Sequence, residues 1–292
     1  MRTLVLLLFS AWLLVNPVCW ATDTLIVKHY QNQARYELGI KVLDLALSKL
    51  NRPYLIQGAN SKDINEARGE AHVIDGLLDI QFMISTKERE KSLIPIHIPI
   101  YRGMLGLRLL LVKHEKHDEM QSINNLEELQ QHVGGHGKHW SDLPIYAHNQ
   151  LPVVTNVNYQ SLFKQLASER FDYFHRGILE IWDEQKQQSD TLRVADNVML
   201  FYPQPTYFYV SKQRPELAKL IKKGLNIAMT DGSFKALFLK YVGADIRRAK
   251  LESRTLIVLD TPILPSNTPA IDMSWWLPKT FQTQIQQSLH NK

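Results

Sequence analysis

From residue 25 onward, short runs of strand-forming residues alternate with helix-patterned runs, and this rhythm restricts the chain to an α/β architecture. Leu25-Ile26-Val27 reads as a strand. Tyr36, Ile40, Leu43, Leu47 and Leu50 recur at spacings of four and three, which sets them on one face of a helix. Pro53 stops that helix, and Tyr54-Leu55-Ile56 is a second strand. A polar helix over 63–70 leads to the β-formers of 77–84. This is the βαβαβ order of an open, mainly parallel sheet with helices on its faces.

The same units begin again near Gly106. Residues 107–112 read as a strand, 124–131 as a short helix, and His132-Val133-Gly134 as a strand ending in glycines. Val153-Val154, a helix over 159–167 and a strand over 171–174 follow, then a strand over 206–210. The last third reads as helical. Pro215 suits a first helical turn, and Leu217, Leu220, Ile221, Leu225 and Ala228 trace an apolar stripe. The residues after Pro262 are proline-rich and then polar, which predicts a surface tail. Two α/β halves are therefore expected, joined by crossings at 99–103 and 202–205, with the closing helices returning to the first half. A cleft between two such halves is a usual place for a small ligand.

The first 21 residues have a different character. Arg2 precedes a twelve-residue run, 4–15, in which only Ser10 is polar; Asn16-Pro17 then breaks the helix, and Cys19-Trp20-Ala21 ends it. These are the three parts of a secretory signal peptide. The apolar run is shorter than the roughly 20 residues a membrane span needs, which disfavours an uncleaved anchor. Asn16-Pro17-Val18 lacks the residues expected before a lipidated cysteine. The chain is thus expected in the periplasm. Cys19 is the only cysteine, so the remaining 271 of 292 residues would hold no disulfide, thiolate zinc site or cysteine nucleophile. Removing Arg2 lowers the formal charge only from +5 to +4, and no basic run points to nucleic acid.

Three segments carry a family resemblance. Met229-Thr230-Asp231-Gly232-Ser233-Phe234, then Leu237-Phe238 and Tyr241-Val242-Gly243, resemble the closing helical pair of the family 3 periplasmic solute-binding proteins. Ser85-Thr86-Lys87-Glu88-Arg89, followed by Pro99-Ile100-Tyr101, resembles their T-x-E-R…P-Y segment, and Arg170-Phe171-Asp172 their G-R-x-D strand. The resemblance spans roughly 23–260. It implies a two-lobed, type II periplasmic-binding-protein fold: a first lobe from 22–102 and 204–262, a second from 103–203, and a tail over 263–292. It also implies a monomer that closes around a small polar solute, anionic or amino-acid-like, and hands it to a membrane permease. No reaction, cofactor or nucleic acid is implied. The alternative is a stand-alone sensor or adaptor signalling to a membrane receptor.

The resemblance assigns Arg89 to the carboxylate of a solute, which a guanidinium meets with two parallel hydrogen bonds. The turn containing Gly137, Lys138 and Trp140 falls where family members offer N–H groups to an anion. The family's aspartate for an α-ammonium is missing: that stretch reads Tyr173-Phe174-His175-Arg176-Gly177. Arg176 is therefore a candidate second anion contact, and Glu180, one helical turn on, a candidate replacement for the absent acid. Tyr30 and Tyr101 are candidate wall residues. His114-x-x-His117 and His136-x-x-His139 lack the further ligands and carboxylate-bearing helix motif of a zinc site. Ser161-x-x-Lys164 lacks the partner motifs of a serine acyl enzyme and lies in an amphipathic helix.

Overall fold

The computed structural model describes residues 23–59, 64, 66–266 and 268–290, so the expected leader at 1–21 lies outside the described residues. β1 (Leu25–His29) pairs in parallel with β2 (Tyr54–Gly58) around α1 (Glu37–Ser48). α1 buries Leu38, Val42, Leu43, Ala46 and Leu47. The predicted face is rotated slightly: Leu43 and Leu47 point inward, while Ile40 is half-buried. α2 (Glu66–Ile74), β3 (Ile80–Ile84), α3 (Lys87–Ser92) and β4 (Ile94–Ile96) follow. β1 is tied to the start of β3 by two bonds. The Asp79 N–H donates to the Lys28 carbonyl at 2.9 Å, and its carboxylate accepts from the Lys28 N–H at 2.7 Å. Past β1, the Gln31 side chain stands in for a strand, donating to the Phe82 carbonyl at 2.9 Å and accepting from its N–H at 2.8 Å.

The chain then crosses into a second set of elements. These are β5 (Leu107–Lys113), α4 (His117–Gln121), α5 (Leu126–Leu129), β6 (Gly134–Gly137), α6 (Leu143–His148), β7 (Val153–Asn156), α7 (Tyr159–Ala167), β8 (Tyr173–Gly177), α8 (Ile181–Gln187) and β9 (Leu192–Phe201). β9 returns the chain to β10 (Thr206–Val210), which inserts between β3 and β4. α9 (Pro215–Thr230) and α10 (Ser233–Ala249) pack on α1, as the apolar stripe of α9 requires: Leu217, Ile221, Leu225 and Ala228 are all buried. β11 (Thr255–Val258) and α11 (Lys279–His290) end the fold.

The larger sheet has the order β11-β9-β5-β8-β6-β7. The six-stranded sheet and the three-stranded sheet β3-β10-β4 depart from the mainly parallel pairing that the sequence rhythm implies. β5 and β10, each reached by a crossing from the other half, run antiparallel to both of their neighbours. The two crossings touch, the Tyr202 N–H donating to the Gly106 carbonyl at 3.2 Å.

Two expectations about the C-terminal part need correction. β11, assigned from sequence to the first lobe, pairs in parallel with β9 at the edge of the six-stranded sheet. The segment after Pro262 is more than a surface tail, because Met273, Trp276, Leu277 and Ile285 are buried in the main apolar core. Apolar side chains at such spacing find a core even in a polar, proline-containing stretch.

Candidate functional site

On the first-lobe side, β3 ends and the Thr86 side chain caps α3 by accepting from the Arg89 N–H at 3.2 Å. That cap fixes where the Arg89 side chain starts. Its side chain is 13% exposed, and its guanidinium is held twice by Glu70 of α2, Nε to Oε1 and Nη2 to Oε2, each at 2.9 Å. Nη1 also donates to the Ile84 carbonyl. A guanidinium has five N–H donors, so a donor on each terminal nitrogen remains beyond these bonds. Tyr30 is buried beside this pair, its hydroxyl donating to Gln81 Oε1 at 3.2 Å. Burial pushes its phenol up, and the charges of Tyr36, Glu66 and Glu70 reinforce the shift.

On the second-lobe side, Gly137 ends β6, and a Cβ there would strike the Trp140 ring. Lys138 is exposed. Arg176 in β8 is only 6% exposed. Glu184 takes its Nε at 2.8 Å and Nη2 at 2.7 Å, and Glu180 takes Nη2 at 2.9 Å. The guanidinium also lies 4.9 Å from the Trp140 ring centre, 5.0 Å from Phe174 and 5.4 Å from Tyr159. Burial would lower the Arg176 pKa, but the two carboxylates outweigh it and raise it. Arg176 is thus a packed cation with its acids supplied, which leaves it poorly placed to be the second anion contact. The group it presents is Glu180, whose side chain is 53% exposed.

Trp140, Arg176 and Glu180 therefore form one cluster, and Tyr30 and Arg89 another. Tyr101, in the first crossing, stands between the halves. Burial drives its phenol up; the Gly39 N–H of the first turn of α1 opposes this, and the charge of Glu180 adds to it. Behind these residues, Arg108 donates to the Tyr202 hydroxyl at 2.6 Å, Asp142 Oδ2 at 2.9 Å and Gln204 Oε1 at 3.1 Å. His136 Nε2 lies 3.4 Å from Asp142 Oδ1. Burial alone would raise the Asp142 carboxyl, but His136 and Arg108 hold it well below the usual range. This network joins the start of β5, the second crossing and the loop after β6.

Sequence reasoning missed Glu70, Glu184 and the Arg108–Asp142–Tyr202 network. A signal existed for the first two, since an arginine proposed for a buried site needs a carboxylate; nothing local in the sequence says which one. Ser161 lies in the first turn of α7, where the Asn158 side chain accepts its backbone N–H at 3.0 Å. Among the described residues, no group of three metal-binding side chains is assembled, and no helix is long and apolar enough to cross a membrane.

By sequence alone, neither a family model nor a curated protein matches. Solved structures do. An ancestral arginine-binding protein bound to glutamine superposes with a TM-score of 0.52 at 19% identity, over 75% of this chain and 98% of its own. A Streptococcus mutans structure from work on glutathione import via GshT and the cystine importer TcyBC gives 0.54 at 15%, over 76% and 96%. A histidine kinase sensor domain similar to periplasmic binding proteins gives 0.51 at 13%, over 76% and 97%. The fold is that of the two-lobed periplasmic binding proteins. In this chain α9 and α10 pack on α1 in the half begun by β1, and the two crossings join the halves. About a quarter of this chain lies outside the superposed part, more than residues 1–21 supply.

Proposed function

We propose that the chain is an extracytoplasmic solute-binding protein that captures a small, amino-acid-like solute by hinge closure and delivers it to an ABC-type importer. What supports this reading is the presence of two complementary groups, one on each half of a binding-protein fold. Arg89 keeps one donor on each terminal nitrogen while Glu70 and the Ile84 carbonyl take the other three. Glu180 offers a half-exposed carboxylate from the other lobe, aimed by Arg176. A zwitterion matches this pair, its carboxylate to Arg89 and its ammonium to Glu180. A purely anionic solute matches it less well, because the two acids beside Arg176 outnumber its single charge. Tyr101 would be the wall between them, and the Gly137–Trp140 turn the second-lobe rim. Closure favours the liganded form because only then does one solute contact both lobes. The reading includes export through the 1–21 leader, a monomer, no cofactor and no catalysed reaction.

The test is a thermal-shift panel of amino acids, dicarboxylates and sugar acids on the purified protein. A solute at a hundred times its Kd adds about 2.7 kcal/mol and raises Tm visibly. Arg89→Lys keeps the charge but loses the fork, and should weaken binding about 10- to 100-fold, the worth of a charge-assisted hydrogen bond. Glu180→Gln should do the same for amino acids while sparing dicarboxylates. A panel in which only dicarboxylates shift Tm would overturn the zwitterion reading. A second reading, a sensor for a membrane receptor, is favoured by the resemblance to a kinase sensor domain. Uptake of the solute by vesicles carrying an importer would decide against it.

A further inference from the structure

The residues after β11 run from the edge of the second lobe's sheet to the hinge, and then back. The Leu259 N–H donates to the Phe201 carbonyl at 2.8 Å. Asn149, just past α6, grips Asp260 twice, donating to its carbonyl and accepting from its N–H, both at 2.9 Å. The segment then reaches Arg102 and Gly103 in the first crossing. Both have left-handed backbones, with φ of 50° and 78°, an uncommon conformation for an arginine. The Trp276 indole N–H donates to the Arg102 carbonyl at 2.8 Å. Asp272 pairs with the Arg102 guanidinium, which lies 4.3 Å from the Trp275 ring centre. Trp275 packs edge-on to Phe234 and Phe238 of α10, with ring centres 5.2 and 5.8 Å away. α11 then returns to β11, where Gln284 donates to the Leu256 carbonyl at 2.9 Å and Ile285 is buried.

We infer, resting on the hinge closure proposed above, that residues 259–266 and 268–290 are a latch across the hinge that favours one lobe angle until solute binds. Hinge motion is absorbed by φ and ψ changes at a few crossing residues. A change at 102–103 pulls the Arg102 carbonyl off Trp276 and its guanidinium off Asp272 and Trp275. The latch cannot follow one lobe, because β11 fastens it to the second and α10 to the first. It lies on the hinge and not on Arg89 or Glu180, so it acts on the equilibrium between lobe angles and leaves the solute contacts alone.

The chain from residue 22 contains no cysteine, so two introduced ones label uniquely. Lys164 on α7 and Lys222 on α9 are exposed, one on each half. Nitroxides at Lys164→Cys and Lys222→Cys, read by pulsed electron resonance without added solute, should give one narrow distance. In the same chain carrying Asp272→Asn and Trp276→Phe, which keeps both rings, the distribution should broaden or split. Exchange of the Met104 and Gly106 amides, bonded to the Tyr101 and Gly103 carbonyls, should quicken about tenfold while the α9 amides stay slow. An unchanged distance distribution, or exchange that quickens equally in α9, would overturn the latch. Solute binding is read separately by Tm, so failure of the latch leaves the proposed function standing.

Discussion

A guanidinium as buried as that of Arg176 survives only if its charge is answered on the spot. Glu184, itself only 9% exposed, accepts two hydrogen bonds from it and one from the Tyr159 hydroxyl. Removing one member of such a pair strands the other, which typically costs 3–5 kcal/mol. Glu180 remains as a partial partner, so Glu184→Gln should cost about 3 kcal/mol, seen as a lower urea midpoint with an unchanged slope. Arg176→Met with Glu184→Leu should recover most of that loss, because no buried charge is then left unpaired and the half-exposed Glu180 is solvated. If the double variant is as unstable as the single one, packing on Trp140 and Phe174 matters more than the charge. At this scale the sequence is informative about which residues are chemically unusual and silent about their partners. Arg89 and Arg176 stand out from motif context. Glu70, 19 residues before Arg89, does not, because the loop that brings α2 alongside carries no periodic signal.

Among the elements, α3 is six residues long and has no buried residue of its own. Isolated helices of that length do not hold in water. The Thr86 cap therefore contributes a large share of its order, and through it the direction of Arg89. Thr86→Ala should cost about 1 kcal/mol in global stability and should weaken solute binding further than that cost alone accounts for. Calorimetric titration of the variant checks this; undiminished affinity would mean that Glu70 alone aims Arg89. Elements of this kind are legible from sequence to different degrees. α9 is easily read because Pro215 starts it and five apolar residues keep helical spacing. β11 is a four-residue strand with three apolar residues after a helix, too short for periodicity to tell strand from helix. α11 shows only Phe281, Ile285 and Leu289 at intervals of four in a polar stretch, and its burial is decided by contact with β11.

For the whole molecule, the groups packed around the network beside the second crossing also set its response to acid. His175 in β8 is 1% exposed, stacked 4.1 Å from Tyr146 and packed 4.8 Å from His136. Burial, reinforced by His136, holds its pKa well below the ordinary histidine value, and burial lowers His29 as well. For a base with a depressed folded pKa, the unfolded chain takes up the proton first. Stability is therefore complete above about pH 6.5 and falls as pH drops below it, by up to about 1.4 kcal/mol per pH unit for each such histidine. Asp142 adds a second decline at lower pH. Its carboxyl stays ionised in the fold, so stability is lost once the unfolded state protonates, near pH 4 and below. Urea midpoints should thus be flat from pH 8 to 7, lower at pH 5.5, and lower again at pH 3.5. His175→Phe keeps the stack on Tyr146 and removes the proton site, so it should flatten part of the slope between pH 6.5 and 5.5 and leave the acid limb below pH 4 in place. A variant with the full wild-type slope in the upper window would assign that slope to His29. The two-lobed fold would then owe its acid sensitivity to the first lobe and not to the network behind Arg176.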